Sequence, residues 1–271
     1  MSDTIITDAL VASWYKPRLA DTHKGDYGRA LLVAGSHGMM GAALLSARAC
    51  MRSGVGLLTT RVPSCGYGIM QLGIPEAKCE CDICDTHHTK IVVPHDIEVI
   101  GIGPGLGLHQ DTHNALHQLL LDNDLPLVVD ADALNILALH PEWLSLVPRG
   151  SILTPHPGEM KRLGGDAQSL VDKFGVIVVL KGYHTEIYSA HGKYMNSLHG
   201  NPGMAVGGSG DVLTGIILAL LSQHYNPLHA ACMGVWLHAY AADIALEQNQ
   251  SHESLLPSDV ISHVGLAFNR I

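Results

Sequence analysis

A chain of 271 residues, 47% hydrophobic and 15% charged, can bury a full core and is too apolar to be a disordered polypeptide. Its net charge of −9, without any Lys/Arg cluster, disfavours nucleic acid and anionic membranes as partners. No basic-then-apolar leader opens the chain and no apolar run nears the roughly 20 residues of a bilayer span; with six cysteines in no secreted disulfide framework, a reducing cytoplasm is expected.

In chain order, Arg29–Ala34 reads as a short buried strand entering the turn Gly35-Ser-His-Gly38. Ala42–Arg52 follows as a small-residue helix and Gly56–Val62 as the next strand. Cys79-Glu-Cys-Asp-Ile-Cys84, with His87 and His88 behind it, has C-x-C-x-x-C spacing but no second ligand pair. It reads as a cysteine-rich excursion in preference to a zinc site.

Val99–Gly103 is a further buried strand, and His109–Leu121 a helix. The intervening Gly103-Pro-Gly-Leu-Gly107 has Leu108 where a dinucleotide fingerprint needs a third small residue, so it reads as a backbone wall against a flat or phosphorylated ligand. Leu127–Asp130 is a strand and Ala133–Leu139 a helix. The carboxylates of Asp130 and Asp132, near Asn135, can organise Mg²⁺ through water, while a helix cap is the plainer role for Asp132.

Ser151–Thr154 is a strand leading into Thr154-Pro-His-Pro-Gly-Glu159, where two prolines stiffen the presentation of His156. That histidine either contacts an amide or phosphate or caps the helix around Met160, with Glu159 favourable in its first turn. Val176–Lys181 is an apolar strand ending on Lys181, placed to meet a phosphate as a point charge or to sit as a surface lysine. Glu186–Ser189 and Lys193–Asn196 form a hairpin, and helices Val212–Leu221 and Leu228–Gln248 finish the core.

The richest stretch runs from Asn201 to Gly215. Four glycines fall between Gly203 and Gly210, followed by Asp211 and an apolar helix. Glycines let backbone N–H groups approach an anion, and the helix dipole adds positive potential there. Gly207-Gly-Ser-Gly210 is therefore a candidate anion cradle, and Asp211 a candidate base beside it; an ordinary helix cap is the alternative. Strands alternating with helices imply one α/β domain over residues 1–271, with a mostly parallel sheet covered on two faces and a late antiparallel hairpin. Ligands in such sheets bind beyond the strand C-termini, where these motifs converge.

Taken together, the motifs resemble the ADP/ATP-dependent NAD(P)H-hydrate dehydratases of the ribokinase-like superfamily. The likeness runs through His23-Lys-Gly-Asp-Tyr-Gly28, Gly35–Ala43, Gly54–Leu57, Gly103–Gly107, Asp130–Asn135, Thr154–Glu159, Lys181-Gly182 and Gly203–Gly215. The resemblance implies a three-layer α/β/α sandwich that dehydrates the S epimer of NADH or NADPH hydrate, driven by ADP or ATP cleavage through a phosphorylated hydrate. It implies Asp211 as catalytic base; Ala42, Gly105, His156 and Asp211 on the hydrate side; and Lys181, Gly182, Tyr183, His184, Thr185 and Gly210 on the nucleotide side. It also implies Mg²⁺, a separate NAD(P)H-hydrate epimerase as functional partner, and a homo-oligomer, a homotetramer by preference. A sugar or vitamin-alcohol kinase of the same superfamily and a non-catalytic nucleotide-binding regulator are the competing readings.

Overall fold

Alternate residues of the buried strands fall into two separate apolar clusters, so a single sheet divides the core. Ala30 and Leu32 face one cluster while Leu31 and Val33 face the other; Val128 and Val129, Ile152 and Leu153, and Ile177 and Val178 divide the same way. This is the pattern of strands buried on both faces, where each pleat position needs an apolar side chain.

The computed structural model describes residues 3–248 and 250–271. Its strands are β1 (Thr4–Ile5), β2 (Arg29–Val33), β3 (Leu57–Val62), β4 (Lys78–Cys81), β5 (Val99–Ile102), β6 (Leu127–Val129), β7 (Ile152–Leu153), β8 (Ile177–Leu180), β9 (Thr185–Ser189) and β10 (Gly192–Asn196). The sheet order is β1-β10-β9-β8-β7-β6-β5-β2-β3-β4. Only the pairings of β9 with β8 and β10 are antiparallel.

The helices are α1 (Asp8–Trp14), α2 (Met40–Arg52), α3 (Tyr67–Gly73), α4 (Gln110–Asp122), α5 (Ala131–Leu139), α6 (Pro157–Arg162), α7 (Ala167–Phe174), α8 (Ser209–Ser222), α9 (Pro227–Glu247) and α10 (Pro257–Phe268). α2, α8, α9 and α10 cover one face, and α4 to α7 the other. The expected three-layer sandwich is present. Among the described residues no helix is long and apolar enough to cross a membrane.

Two close approaches place the site. A Cβ on Gly215 would lie 2.1 Å from the Ser46 carbonyl oxygen, so glycine lets α8 press onto α2. A Cβ on Gly101 would meet Leu218 at 2.7 Å, and the glycine seats α8 on β5. The chain leaves β2 in one direction through β3 and β4, then returns to its other side as β5, creating a topological switch point. The turns after β2 and β5 are bound to each other there: the Gly35 N–H donates to the Pro104 carbonyl (2.8 Å) and the Ser36 hydroxyl to the Gly105 carbonyl (2.9 Å).

Candidate active site

β6, β7 and β8 end side by side, delivering Asp130, His156 and Lys181 to one edge of the sheet. The Lys181 N–H donates to the Pro155 carbonyl at 2.9 Å, which ties the last two strand-end loops together. Opposite them stands the N-terminus of α8. The cleft between is about 590 Å³ and is lined by Asp130, His156, Glu159, Lys181, Gly210 and Asp211 among others.

Asp130 is 1% exposed and fully engaged: one carboxylate oxygen accepts from Lys181 Nζ at 2.6 Å and the other from the Thr214 hydroxyl at 2.7 Å. The next residue, Ala131, has φ +46°, a left-handed conformation that costs a non-glycine residue energy and here turns the chain into α5. Glu159 lies 4.0 Å from the same ammonium and accepts the His156 N–H at 2.8 Å. Burial pushes the Glu159 carboxyl up, while its bond from His156 and the Lys181 charge pull it down. One lysine therefore stands between two buried carboxylates.

α8 does not begin with an aspartate cap. Gly208, at φ +95°, holds the cap position, and Asp211 is the third helical residue. Its backbone carbonyl accepts from the Ser46 hydroxyl at 2.9 Å, anchoring the turn to α2. Burial, then the Asp130 charge, pushes its carboxyl up to about 7 from an ordinary 3.8, and the Lys181 charge opposes them. No hydrogen-bond donor among the described residues lowers it. A half-buried carboxylate without a donor, near neutral in pKa, is equipped to take up a proton. A Cβ on Gly210 would lie 3.2 Å from Lys181 Nζ, so glycine keeps the start of α8 close to that ammonium.

His156 does cap α6: Nδ1 accepts the Gly158 and Glu159 N–H groups at 2.9 and 3.3 Å. Nε2, 3.5 Å from Glu159 Oε1, is the nitrogen left to meet a ligand in the cleft. Asp132 is not a cap. It accepts the Gly107 N–H at 2.9 Å, pinning the turn after β5, and Asn135 donates to it at 3.4 Å.

The cleft lining includes His156, Lys181, Gly182, Tyr183, Thr185, Ser209, Gly210 and Asp211, and leaves out Ala42, Gly105, His184, Gly207 and Gly208. Ala42 and Gly105 instead meet each other at the switch point, where a Cβ on Gly105 would stand 3.0 Å from the Ala42 Cβ. Tyr183 is 83% exposed, His184 and Gly207 are also exposed, and Gly208 serves as the helix cap.

The far end of the cleft was not foreseen from sequence. Asn196, His199, Met204 and His238 line it. His238 is buried against the Ser209 hydroxyl (3.4 Å), and burial drives its pKa down to about 4. His199 Nε2 lies 2.9 Å from Asp8 and Nδ1 3.6 Å from Asp243, and bonding to Asp243 leads the effects that raise its pKa. These partners are distant in the chain, and no local spacing announces them. A larger cavity of about 700 Å³ lies between the 89–97 segment and α4, but none of the strand-end motifs reaches it.

A doubly covered, mostly parallel sheet with this switch point, facing a glycine-capped helix N-terminus, defines a ribokinase-like α/β/α protein. Residues 30–264 match the family model described as NAD(P)H-hydrate dehydratase, and the chain belongs to that family. The ADP-dependent (S)-NAD(P)H-hydrate dehydratase of Neisseria meningitidis serogroup B is 36% identical, over 95% of this chain and 90% of that protein. The bifunctional NAD(P)H-hydrate repair enzyme of Moorella thermoacetica is 37% identical over 93% of this chain and 52% of its own, so the chain spans about half the length of such bifunctional relatives. The crystal structure of the ADP/ATP-dependent NAD(P)H-hydrate dehydratase of Bacillus subtilis, co-crystallised with ATP/Mg²⁺, matches with a TM-score of 0.84 at 30% identity, covering 100% of this chain and 99% of that one.

Proposed function

We propose that this protein dehydrates the S epimer of NADH or NADPH hydrate, using ADP or ATP as phosphoryl donor. The observation that carries the reading is Asp211: a carboxylate without a protein donor, raised to about 7, beside the glycine-rich start of α8 and facing the Lys181 side of the cleft. Asp211 takes the proton of the hydrate 6-hydroxyl as that oxygen attacks the terminal phosphorus of the nucleotide. The bond from phosphorus to the bridging oxygen breaks, releasing AMP from ADP or ADP from ATP. The ring nitrogen then expels the phosphate with its C6–O bonding electrons, and loss of the C5 proton restores the reduced nicotinamide.

Gly207, Gly208, Ser209 and Gly210 supply the positive end of α8 to the moving phosphoryl group. Lys181 offsets phosphate charge, and Gly182, Tyr183, His184 and Thr185 border the nucleotide. His156 offers Nε2 to the hydrate, while Ala42 and Gly105, outside the cleft lining, meet it where it extends to the switch point.

Asp130 keeps Lys181 and Thr214 as its partners, so the cleft oxygens suited to a Mg²⁺ ion bound through water are those of Glu159 and Asp211. Such an ion would supply neutralisation of phosphate charge. Relatives that join two repair activities support a separate NAD(P)H-hydrate epimerase as functional partner, and family resemblance supports a homotetramer.

NADH hydrate incubated with ADP or ATP tests the reading. Return of the reduced-nicotinamide absorbance, with stoichiometric phosphate, supports it; a stable phosphorylated product would make the protein a kinase instead.

A further inference from the structure

We propose that Cys84, His87, His109 and Asp111 form a binding site for a zinc-class divalent ion, outside the cleft. The site joins the loop after β4 to the N-terminus of α4, and it is independent of the reading given above.

Three ligand types converge from two elements. One ligand atom each from His87, His109 and Asp111 lies within 4.8 Å of the others. His87 Nε2 stands 3.2 Å from Asp111 Oδ2, and His109 Nδ1 stands 3.6 Å from the same oxygen. Cys84 Sγ lies 3.4 Å from His87 Nδ1 and 3.8 Å from Nε2. Bond lengths of about 2.0 Å to nitrogen or oxygen and 2.3 Å to sulfur give tetrahedral edges of roughly 3.3 Å for N···O and roughly 3.6 Å for N···S. The two nitrogen–oxygen separations already fall close to those edges, whereas Cys84 Sγ lies outside the three-residue cluster, nearer Nδ1 than Nε2, and has to turn towards the ion to become its fourth ligand.

Orientation is also in place. The Thr86 hydroxyl lies 2.9 Å from His87 Nδ1, which fixes the ring with Nε2 towards Asp111. The His87 and His109 rings stack with centroids 3.7 Å apart, so His109 has to turn out of the stack to aim Nδ1 at an ion held by His87. His109 Nδ1 now caps α4 by accepting the Asp111 N–H at 3.2 Å, and it would exchange that bond for the ion. Thiolate and imidazole select zinc over Mg²⁺ or Ca²⁺, which favour all-oxygen sets.

The C-x-C-x-x-C run misleads because its first two cysteines point elsewhere. Cys79 and Cys81 belong to β4 and pack against the apolar core on the α2–α8 side of the sheet. Cys84 finds its partners through His87 and α4. The ion would also brace the substrate side: the His37 N–H donates to the Thr86 carbonyl at 2.9 Å, and His88 Nε2 lies 3.1 Å from the Gly35 carbonyl.

Chelator-stripped, reduced protein titrated with Co²⁺ and Zn²⁺ tests the site. The expected result is one saturable equivalent per chain, with tetrahedral cobalt bands and a thiolate-to-cobalt charge-transfer band. Cys84→Ser should abolish that band, and His87→Gln or Asp111→Asn should weaken Zn²⁺ binding at least tenfold. Zn²⁺ should raise the melting temperature of the unaltered protein and not of Cys84→Ser, whose metal-free melting temperature reports its folding. The proposal is overturned if no saturable binding occurs. It is overturned equally if Cys84→Ser/His87→Gln retains the same affinity, or if the charge-transfer band is lost only with Cys79→Ser or Cys81→Ser.

Discussion

Lys181 Nζ stands 2.6 Å from Asp130 Oδ1, joining the ends of two strands that have β7 between them. Asp130 is 1% exposed and the Lys181 side chain 20%, so the ammonium neutralises a carboxylate that water barely reaches while still facing the cleft. The pair holds the charge of the cleft floor in place opposite α8.

Removing one member strands the other. Lys181→Met leaves Asp130 with only the Thr214 hydroxyl, at a cost of about 2 kcal/mol once the partial exposure of Lys181 is discounted. Turnover should fall at least about a hundredfold through lost phosphate stabilisation. Adding Asp130→Asn should restore most of the stability and none of the activity. Urea unfolding and turnover on the two variants check both halves.

The proposed role of Asp211 as base carries an expected pH profile. With its carboxyl raised to about 7, the base is protonated and idle in acid, so kcat/KM should climb with pH through about 7 and then level. The folded protein holds this proton more tightly than the unfolded chain does. The contribution of Asp211 to stability is therefore greatest below 3.8 and declines as pH rises from there to about 7. Asp211→Asn should accordingly stabilise the fold at pH 8 by about 1–2 kcal/mol, measured by thermal unfolding.

His199 bridges the N-terminal segment to α9 through Asp8 and Asp243. Its raised pKa makes its contribution full below 6.5 and lost as pH rises through the higher folded value. Asp8 and Asp243 are lowered, Asp8 chiefly by its bond from His199, while burial of Asp243 is outweighed by its hydrogen bonds; their contributions are full above 3.8 and lost as pH falls through the folded values. The destabilisation caused by His199→Ala should therefore be about 1 kcal/mol between pH 4 and 6.5 and smaller at pH 9. Melting temperatures across that range decide it.

Gly215 acts on the site from a distance. An added methyl would meet the Ser46 carbonyl oxygen at 2.1 Å and the Ala49 Cβ at 2.8 Å, so α8 must move away from α2. Gly215→Ala should cost about 1–3 kcal/mol. It should also slow turnover, because Ser46 anchors the backbone of Asp211. Unchanged kinetics in a destabilised variant would separate packing from catalysis.

The layers were legible because β2, β5, β6 and β8 are near-continuous apolar runs, the mark of strands buried on both faces. β1 is not legible since two residues carry no periodicity, and β4 is not because Lys-Cys-Glu-Cys resembles a loop. The glycine-rich run correctly marked a helix start, but the cap fell on Gly208, since only glycine readily takes that left-handed turn. Lys181 and Asp130 each stand out singly in the sequence. Their pairing joins positions 51 residues apart, which only the strand order brings together.

Asp211→Asn assayed on NADH hydrate with ADP and with ATP tests the central claim most directly. Asparagine keeps the size and helical position of the side chain but cannot accept the hydroxyl proton. The account predicts a folded protein whose kcat falls by about 10²–10⁴, with nucleotide affinity little changed. Turnover near that of the unaltered protein would contradict it.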